Sequence, residues 1–374
     1  MIRRINRIFQ DYMREKRLKI GKYIWDRKEK KNYIKGDNFI LDNNIKSILF
    51  LRHDGKIGDM VINTLMFREI KKMYPTIKIG VVTRGAAKDI ITNNSYVDKI
   101  YDYKKDSKNI KKLANEIKNE EYDLLIDFSE MLRIRDMMFI KLCNVKYNMG
   151  LDRRKWNLFD LSVNSNEDFN WKDHITDRYR AYLKKLGFDE EKINVSYDVS
   201  LEFSKKYDDF FEKIEYKKIV ILNPYGASKH KCFSIKILDK IIKYLKQLNI
   251  GVVLLYFSDK YKELKSLEEN NFNLYIPKNI VSIQDSSYII SKGDYVITPD
   301  TSIVHIASAL NKDIIAVYPP NGGINKVDHL VWAPKSKYNR VIFCKNKKNK
   351  FDEVDINTFD FEEMKNEILK MVKE

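Results

Sequence analysis

The stretch Ile297-Thr-Pro-Asp-Thr-Ser-Ile-Val-His-Ile-Ala-Ser-Ala-Leu310, followed by Asp313-Ile-Ile-Ala-Val-Tyr-Pro-Pro320, decides how this chain is read. A short apolar run, Tyr295 to Ile297, feeds a turn, Asp300 and Thr301 open a helix, and a second apolar run covers Ile314 to Tyr318. That is strand, helix, strand, with Ile303, Ile306, Ala307 and Leu310 on the face a helix buries. Asp300 or Thr301 suits the N-cap, where a short side-chain oxygen accepts from an N–H the first turn leaves over. Free backbone N–H groups and a positive dipole end then sit at the top of a sheet, where a diphosphate binds well. An ordinary capped helix, with Asp300 serving only its own backbone, fits the same spacing.

Working outward, a second unit of this kind begins at Lys217-Lys-Ile-Val-Ile-Leu-Asn-Pro224. Tyr225-Gly-Ala-Ser-Lys-His-Lys231 is its loop, Ser234 to Leu248 its helix and Val252 to Tyr256 the next strand. Nearer the N-terminus, Ile45 to Leu51 reads as a buried strand running into Arg52-His-Asp-Gly-Lys-Ile-Gly-Asp59. Met60 to Met73 then has helical periodicity, and Ile77 to Val82 is a strand. Runs at Lys99–Tyr101 and Asp123–Phe128 add strands, with helical patterns near 85–93 and 108–120. Alternating strands and helices predict α/β architecture with parallel sheets. Residues 130–195 are more polar and aromatic (Met131-Leu-Arg-Ile-Arg135, Arg153-Arg-Lys-Trp156, Trp171-Lys-Asp-His174) and are expected to build a substrate rim. Phe203 to Tyr216, rich in charge, is the expected linker, and Phe359 to Lys373 a terminal helix.

At 374 residues the chain suits two domains, and 44% apolar residues suffice for real cores. The net charge of +17 points to an anionic partner: nucleic acid, an acidic membrane surface or a phosphorylated substrate. Residues 1–35 hold 13 Lys/Arg against 4 Asp/Glu, so about half the excess lies there. Ile5, Ile8, Phe9, Tyr12 and Met13 share a helical face among Arg3, Arg4, Arg7 and Arg14. Such a segment lies on anionic lipid or packs on its own domain or a second subunit. Cys143, Cys232 and Cys344 are widely spaced, and His53, His174, His230, His305 and His329 lack metal-ligand spacing. A reducing cytoplasm is the expected home. No apolar run is long enough for a bilayer, and Met1-Ile-Arg-Arg lacks the apolar core of a signal peptide.

Three loops carry candidate chemistry. Gly55-Lys-Ile-Gly58-Asp59 lacks the third glycine of a dinucleotide fingerprint and is no P-loop. Gly58 permits close backbone approach to a ligand. Asp59 is either a general base facing the cleft or a carboxylate that favours its own helix dipole. Lys229 and Lys231, in the small-residue loop with Gly226 and Ser228, stand where phosphate oxygens are held, or else are two solvated lysines. His305 falls four residues after Thr301 and either points to the cleft or packs inside.

In order and spacing, Gly58-Asp59, Asn93-Asn-Ser-Tyr-Val-Asp98, Lys231-Cys-Phe233 and Asp300-Thr-Ser-Ile-Val-His305 resemble glycosyltransferase family 9, the lipopolysaccharide heptosyltransferase-like group. The resemblance runs from about Ile45 to Tyr318. It implies the GT-B fold, two Rossmann-like domains facing across a cleft, here with a basic helical N-terminal extension. The boundaries expected are 1–44 for that extension, 45–205 for the acceptor domain, 216–358 for the donor domain and 359–374 for a helix crossing back to the first domain.

By the same resemblance Asp59 stands at the general base, with Gly55, Lys56 and Gly58 in the acceptor-side loop. Lys231 stands at the donor-diphosphate lysine, and Gly226, Ser228, Asp300, Thr301, Ser302 and His305 stand in the donor site. The implied reaction is inverting transfer of a sugar, typically heptose from ADP-heptose, to a lipopolysaccharide core or lipid-linked glycan. No metal or cofactor is expected. Ser302 replaces a usual glycine, Phe233 a usual Trp and Pro319-Pro-Asn321 a Gly-Pro-Thr type turn, and Lys260 beside Asp259 occupies a place often acidic. Transfer to a protein acceptor is the alternative, and a nucleic-acid-binding protein a third reading. Helix-turn-helix, zinc and RNP-type signatures are absent, and nucleic acid is not expected as a partner.

Overall fold

The computed structural model describes residues 2–26, 36–201, 205–226, 228–256, 261–320, 328–345 and 354–373. Helix α1 (Ile2–Trp25) and the short α2 (Phe39–Asp42) lead into β1 (Ser47–Leu51), α3 (Ile57–Met73), β2 (Lys78–Thr83) and β3 (Lys99–Asp102). After them come α4 (Ser107–Asn119), β4 (Leu124–Asp127), α5 (Ile134–Cys143), β5 (Tyr147–Leu151), β6 (Leu161–Val163) and α6 (Ile175–Lys185). These strands form one parallel sheet in the order β3-β2-β1-β4-β5-β6, with Ile48 level with Ile79 on one side and Leu124 on the other.

The second half repeats the plan. It runs through α7 (Asp208–Glu212), β7 (Ile219–Leu222), α8 (Ile235–Gln247), β8 (Gly251–Leu254), α9 (Tyr261–Asn270), β9 (Leu274–Tyr275) and α10 (Ile283–Lys292). Next are β10 (Tyr295–Pro299), α11 (Ser302–Ala309), β11 (Asp313–Tyr318), α12 (Asp328–Val331), β12 (Asn339–Phe343) and α13 (Phe361–Lys373). Its parallel order is β12-β11-β10-β7-β8-β9. In both sheets, then, the first strand neighbours the fourth, and the order reverses between them. Open α/β sheets bind ligands beyond the carboxyl ends of the strands at that point.

Burial follows from the sequence pattern. All five residues of β1 are buried, as a strand covered on both faces requires. Leu49 and Leu51 pack with Ile110, Ile117 and Phe139 of α4 and α5, while Ile48 and Phe50 pack with Val61, Leu65 and Phe67 of α3. Helix α8 starts where Ser234 Oγ accepts from Ile237 N at 3.4 Å, and it buries Leu238, Ile241, Ile242 and Leu245.

Four expectations change. Residues 130–195 are not only a rim: they supply α5, β5, β6 and α6, short elements formed by pairing with a sheet already begun. Only a single turn, Gly85–Ala87, stands where a helix over 85–93 was expected. From Lys205 onward the expected linker is folded, since Tyr207 donates to Asn279 O at 3.0 Å and Lys292 pairs with Asp208 at 2.8 Å. Finally, α13 does not cross back but lies along its own sheet. Met364, Ile368 and Met371 form its buried stripe beside β11 and β12, and Tyr244 and Tyr338 hydrogen-bond its backbone. The positions Lys260, Asp259 and Asn321, residues 27–35 of the basic segment, and Ala227 lie outside the described residues.

Candidate active site

In the first domain the chain leaves β1 at Arg52 and turns through Gly55, whose φ of +78° an L side chain rarely adopts. Asp54 Oδ1 accepts from Lys56 N at 3.2 Å, and α3 begins one residue later. Asp59 thus falls in the first turn of α3, buried, facing a cavity of about 420 Å³. Arg52 Nη1 lies 3.5 Å from its Oδ1 and Lys56 Nζ 3.7 Å from its Oδ2. Burial raises the Asp59 pKa above the ordinary carboxylate value, and Arg52 and Lys56 oppose that rise. Arg52 is itself fixed, donating to Asn63 Oδ1 at 2.6 Å and to the Tyr179 hydroxyl and resting on the Phe128 ring.

Strand ends supply the rest of the cavity. Arg84 follows β2 and donates to the carbonyls of His53 and Asp54, at 2.7 and 2.6 Å. Tyr103 follows β3, Glu130 follows β4, and Arg133, Arg135 and Asp136 come from the start of α5. Arg178 of α6 pairs with Glu130 at 2.8 Å. Among the described residues Arg84, Lys105, Arg133 and Arg135 form no ion pair, so this wall presents four uncompensated cations.

On the second domain Asn223 bridges β7 and β10, donating to Thr298 Oγ1 at 2.9 Å. Gly226 passes so close to the next turn that a Cβ there would lie 2.3 Å from Lys231 O. Ser228 caps a short turn over Lys229–Lys231, and its carbonyl accepts from Lys231 N at 2.9 Å. This aims Lys231 at Asp300, Nζ to Oδ2 at 2.9 Å. The cap of α11 is Thr301, whose Oγ1 accepts from Ile303 N at 3.0 Å, so the Asp300 carboxylate serves Lys231 rather than its own helix. Gly226, Ser228, Lys231, Asp300 and Thr301 therefore form one cluster at the second switch point.

Helices α3 and α11 pack on one another across the domain interface. A Cβ on Gly58 would fall 2.7 Å from His305 Cδ2 and 3.5 Å from Ser302 Cα, so this glycine allows the helices to approach. His305 packs inside: its ring lies edge-on to Tyr197 and to Trp332, and its buried Nδ1 has no partner among the described residues. Burial depresses its pKa to about 3. Ser302 and His305 thus touch the first domain, while the other donor-site candidates stay with Lys231. Trp332 also lines the Asp59 cavity, and His174 Nε2 lies 3.1 Å from Ala333 O.

Of the expected rim, Met131, Arg133 and Arg135 line the cavity. Arg153 and Trp156 are structural, the first 3.6 Å from Asp127 and the second under Lys22. Sequence reasoning passed over Arg52, His53, Arg84, Tyr103, Asp136 and Arg178. The available signal was position, since the first four directly follow the first three strands, at or just past their carboxyl ends.

A family model for glycosyltransferase family 9 (heptosyltransferase) matches residues 110–357, which begin after Asp59. The chain is 25% identical over 310 residues to a putative lipopolysaccharide heptosyltransferase 4 of Escherichia coli (strain K12), covering 78% of this chain and 79% of that protein. It is 22% identical over 278 residues to the lipopolysaccharide core heptosyltransferase OpsX of Haemophilus influenzae, covering 73% and 79%. Among solved structures, a family 9 glycosyl transferase from Veillonella parvula superposes with a TM-score of 0.71 at 13% identity, over 91% of this chain and 98% of that one. The E. coli heptosyltransferase WaaC with ADP-2-deoxy-2-fluoro heptose gives 0.63 at 13% identity, over 87% and 99%. At such identities these structures show the shared fold.

Proposed function

The chain belongs to glycosyltransferase family 9, the heptosyltransferases, and from that premise we propose that it moves heptose from ADP-heptose, with inversion, onto a lipopolysaccharide core or related glycan. One observation carries the reading. The helix start bearing Asp59 packs on the helix start that follows Asp300, the partner of Lys231, which brings a carboxylate of one domain close to the Lys231–Asp300 pair of the other.

The chemistry follows from those groups. An acceptor hydroxyl oxygen attacks the anomeric carbon, the bond from that carbon to the diphosphate breaks, and Asp59 takes the hydroxyl proton. A positioned base of this kind contributes ~10²–10⁴-fold. The leaving diphosphate gains negative charge, which Lys231 and the N–H groups opening α11 stabilise. In the free enzyme Asp300 neutralises Lys231 and keeps it aimed, and the arriving diphosphate takes over that contact. On the acceptor side, the uncompensated Arg84, Lys105, Arg133 and Arg135 suit a glycan carrying phosphate or carboxylate groups, as a lipopolysaccharide core does. The expected setting is the cytoplasmic face of the inner membrane, with α1 as its lipid contact.

The test is binding and turnover across a panel of nucleotide sugars, with wild type, Lys231→Ala and Asp59→Ala in parallel. ADP-heptose is expected to bind, and Lys231→Ala to weaken it by more than about tenfold. Asp59→Ala is expected to bind donor normally and to lose ~10²-fold or more in turnover. Full turnover in that variant removes Asp59 as base. Binding of another nucleotide sugar moves the donor assignment, and binding of none defeats the transferase reading.

A further inference from the structure

His53, in the turn from Arg52 to Asp59, takes no part in the transfer chemistry. The structure shows what its ring does. His53 Nε2 lies 2.8 Å from Asp136 Oδ1, and the ring stands edge-on to Tyr103 at 4.7 Å between centroids. Its backbone carbonyl is tied down by Arg84. The Asp136 carboxylate is tied down as well, since its Oδ2 accepts from Arg133 N at 3.0 Å, capping α5. Both partners line the cavity that holds Asp59.

A carboxylate can only accept. A neutral imidazole held on it through Nε2 therefore carries its hydrogen there and leaves Nδ1 as an acceptor with no hydrogen-bond partner among the described residues. The cavity wall is otherwise rich in donors: Arg52, Lys56, Arg84, Arg133, Arg135 and Arg178. A hydroxyl of the acceptor glycan needs the opposite, an acceptor for its own hydrogen.

We propose that His53, locked by Asp136, is an acceptor-recognition residue that takes a hydrogen bond through Nδ1 from a hydroxyl of the acceptor glycan, with Asp136 as its positioning residue. This rests on the transferase reading and adds a group to its acceptor side.

The variants separate recognition from packing. His53→Gln can still reach Asp136 but presents nothing near Nδ1, whereas His53→Asn presents an oxygen near Nδ1 and releases Asp136. Asp136→Asn keeps an oxygen that can accept from Arg133 N, so the start of α5 stays capped. Its amide donates to Nε2, which moves the ring hydrogen to Nδ1 and turns that atom from acceptor to donor.

Kinetics are read on the full chain, with ADP-heptose as donor and heptose-deficient lipopolysaccharide as acceptor. Acceptor KM is expected to rise about tenfold in His53→Gln and in Asp136→Asn, the loss of one hydrogen bond, and less in His53→Asn. Donor KM, set on the other domain, is expected to stay at the wild-type value. Nitrogen NMR of the free protein, which needs no substrate, is expected to show hydrogen on Nε2 of His53 in wild type and on Nδ1 in Asp136→Asn. An unchanged acceptor KM in His53→Gln, a milder effect for Gln than for Asn, or hydrogen on Nδ1 in wild type each overturns the proposal while leaving transfer intact. A wild type that binds ADP-heptose and transfers nothing defeats the transferase reading, and this inference with it.

Discussion

His305 lies between the two domains, against Gly58, Tyr197 and Trp332, and its Nδ1 has no partner among the described residues. A protonated ring would bring a charge into this dry site beside His174, and burial first, then His174, holds its pKa near 3 against an ordinary 6.5. The consequence for stability has a definite sign. Between those two values the unfolded chain binds a proton that the folded chain refuses, so the unfolded state gains as pH falls. The stability His305 allows is complete above pH 6.5 and declines steadily as pH falls towards 3. From pH 7 to pH 5 the loss from this one ring amounts to about 2 kcal/mol. Denaturant unfolding of wild type and His305→Gln at the two pH values isolates it, because carboxylates that titrate lower are common to both. The variant is expected to lose most of the difference between pH 7 and pH 5, whatever its absolute stability. An equal difference in both proteins would mean that the folded state does protonate this ring.

Helix α3 carries the base candidate at Asp59 and, one residue earlier, the glycine that brings α11 to it. In an isolated helix Gly58→Ala would gain up to about 1 kcal/mol. Here the new methyl meets the His305 ring, which Tyr197 and Trp332 confine, and overpacking of that kind costs about 1–3 kcal/mol. Gly58→Ala is therefore expected to destabilise, by about 1–2 kcal/mol, and to lower turnover by shifting Asp59 relative to Lys231. A double-mutant cycle with His305→Ala checks the cause, since removing the ring should return much of the loss, and independent effects would sink the explanation. The same helix shows what a sequence can reveal. Strands β1, β2, β4, β7, β8, β10 and β11 are legible because each is a nearly unbroken apolar run. β5 (Tyr-Asn-Met-Gly-Leu), β6 (Leu-Ser-Val) and β12 (Asn-Arg-Val-Ile-Phe) are not, because polar residues interrupt them and they owe their form to a neighbouring strand. Asp59, Lys231 and Asp300 stand out because they sit in the strand-to-helix junctions after β1, β7 and β10. That Gly58 faces His305, or His53 faces Asp136, depends on contacts 247 and 83 residues apart, which local patterns do not record. His305 illustrates the point: its helix and capping residue could be read, but which way its ring faces is set by the other domain.

At the scale of the whole molecule, the two sheets account for transfer but not for α1, which holds much of the basic excess. Its last turns are part of the first domain. Gly21 abuts Ile134 and Met137, Lys22 lies over Trp156, and the buried Asp26 accepts from Leu158 N at 2.8 Å. Leu18 and Trp25 complete that docked face. At about 100° per residue, Phe9, Tyr12, Ile20 and Tyr23 fall on the opposite side, and all four are exposed. A helix docked on one face, with aromatic and aliphatic side chains exposed on the other among lysines and arginines, is suited to lie in the headgroup layer of an anionic membrane. Among the described residues no helix is long and apolar enough to cross one. Removal of residues 1–13 takes away Arg3, Arg4, Arg7, Phe9 and Tyr12 and leaves the docked face from Leu18 onward. The shortened chain is expected to keep the wild-type thermal midpoint and its activity on a soluble acceptor. Its binding to phosphatidylglycerol vesicles is expected to fall on the order of 100-fold, three arginines contributing about 1 kcal/mol each near the surface, with the wild-type affinity itself falling as salt rises. Co-sedimentation across a salt series measures both. Unchanged vesicle binding would move the membrane contact elsewhere, and loss of a salt-sensitive affinity for nucleic acid in its place would turn the basic helix into a nucleic-acid arm. A drop in midpoint would show that the helix is structural along its whole length, its exposed stripe covered by a second copy of the chain.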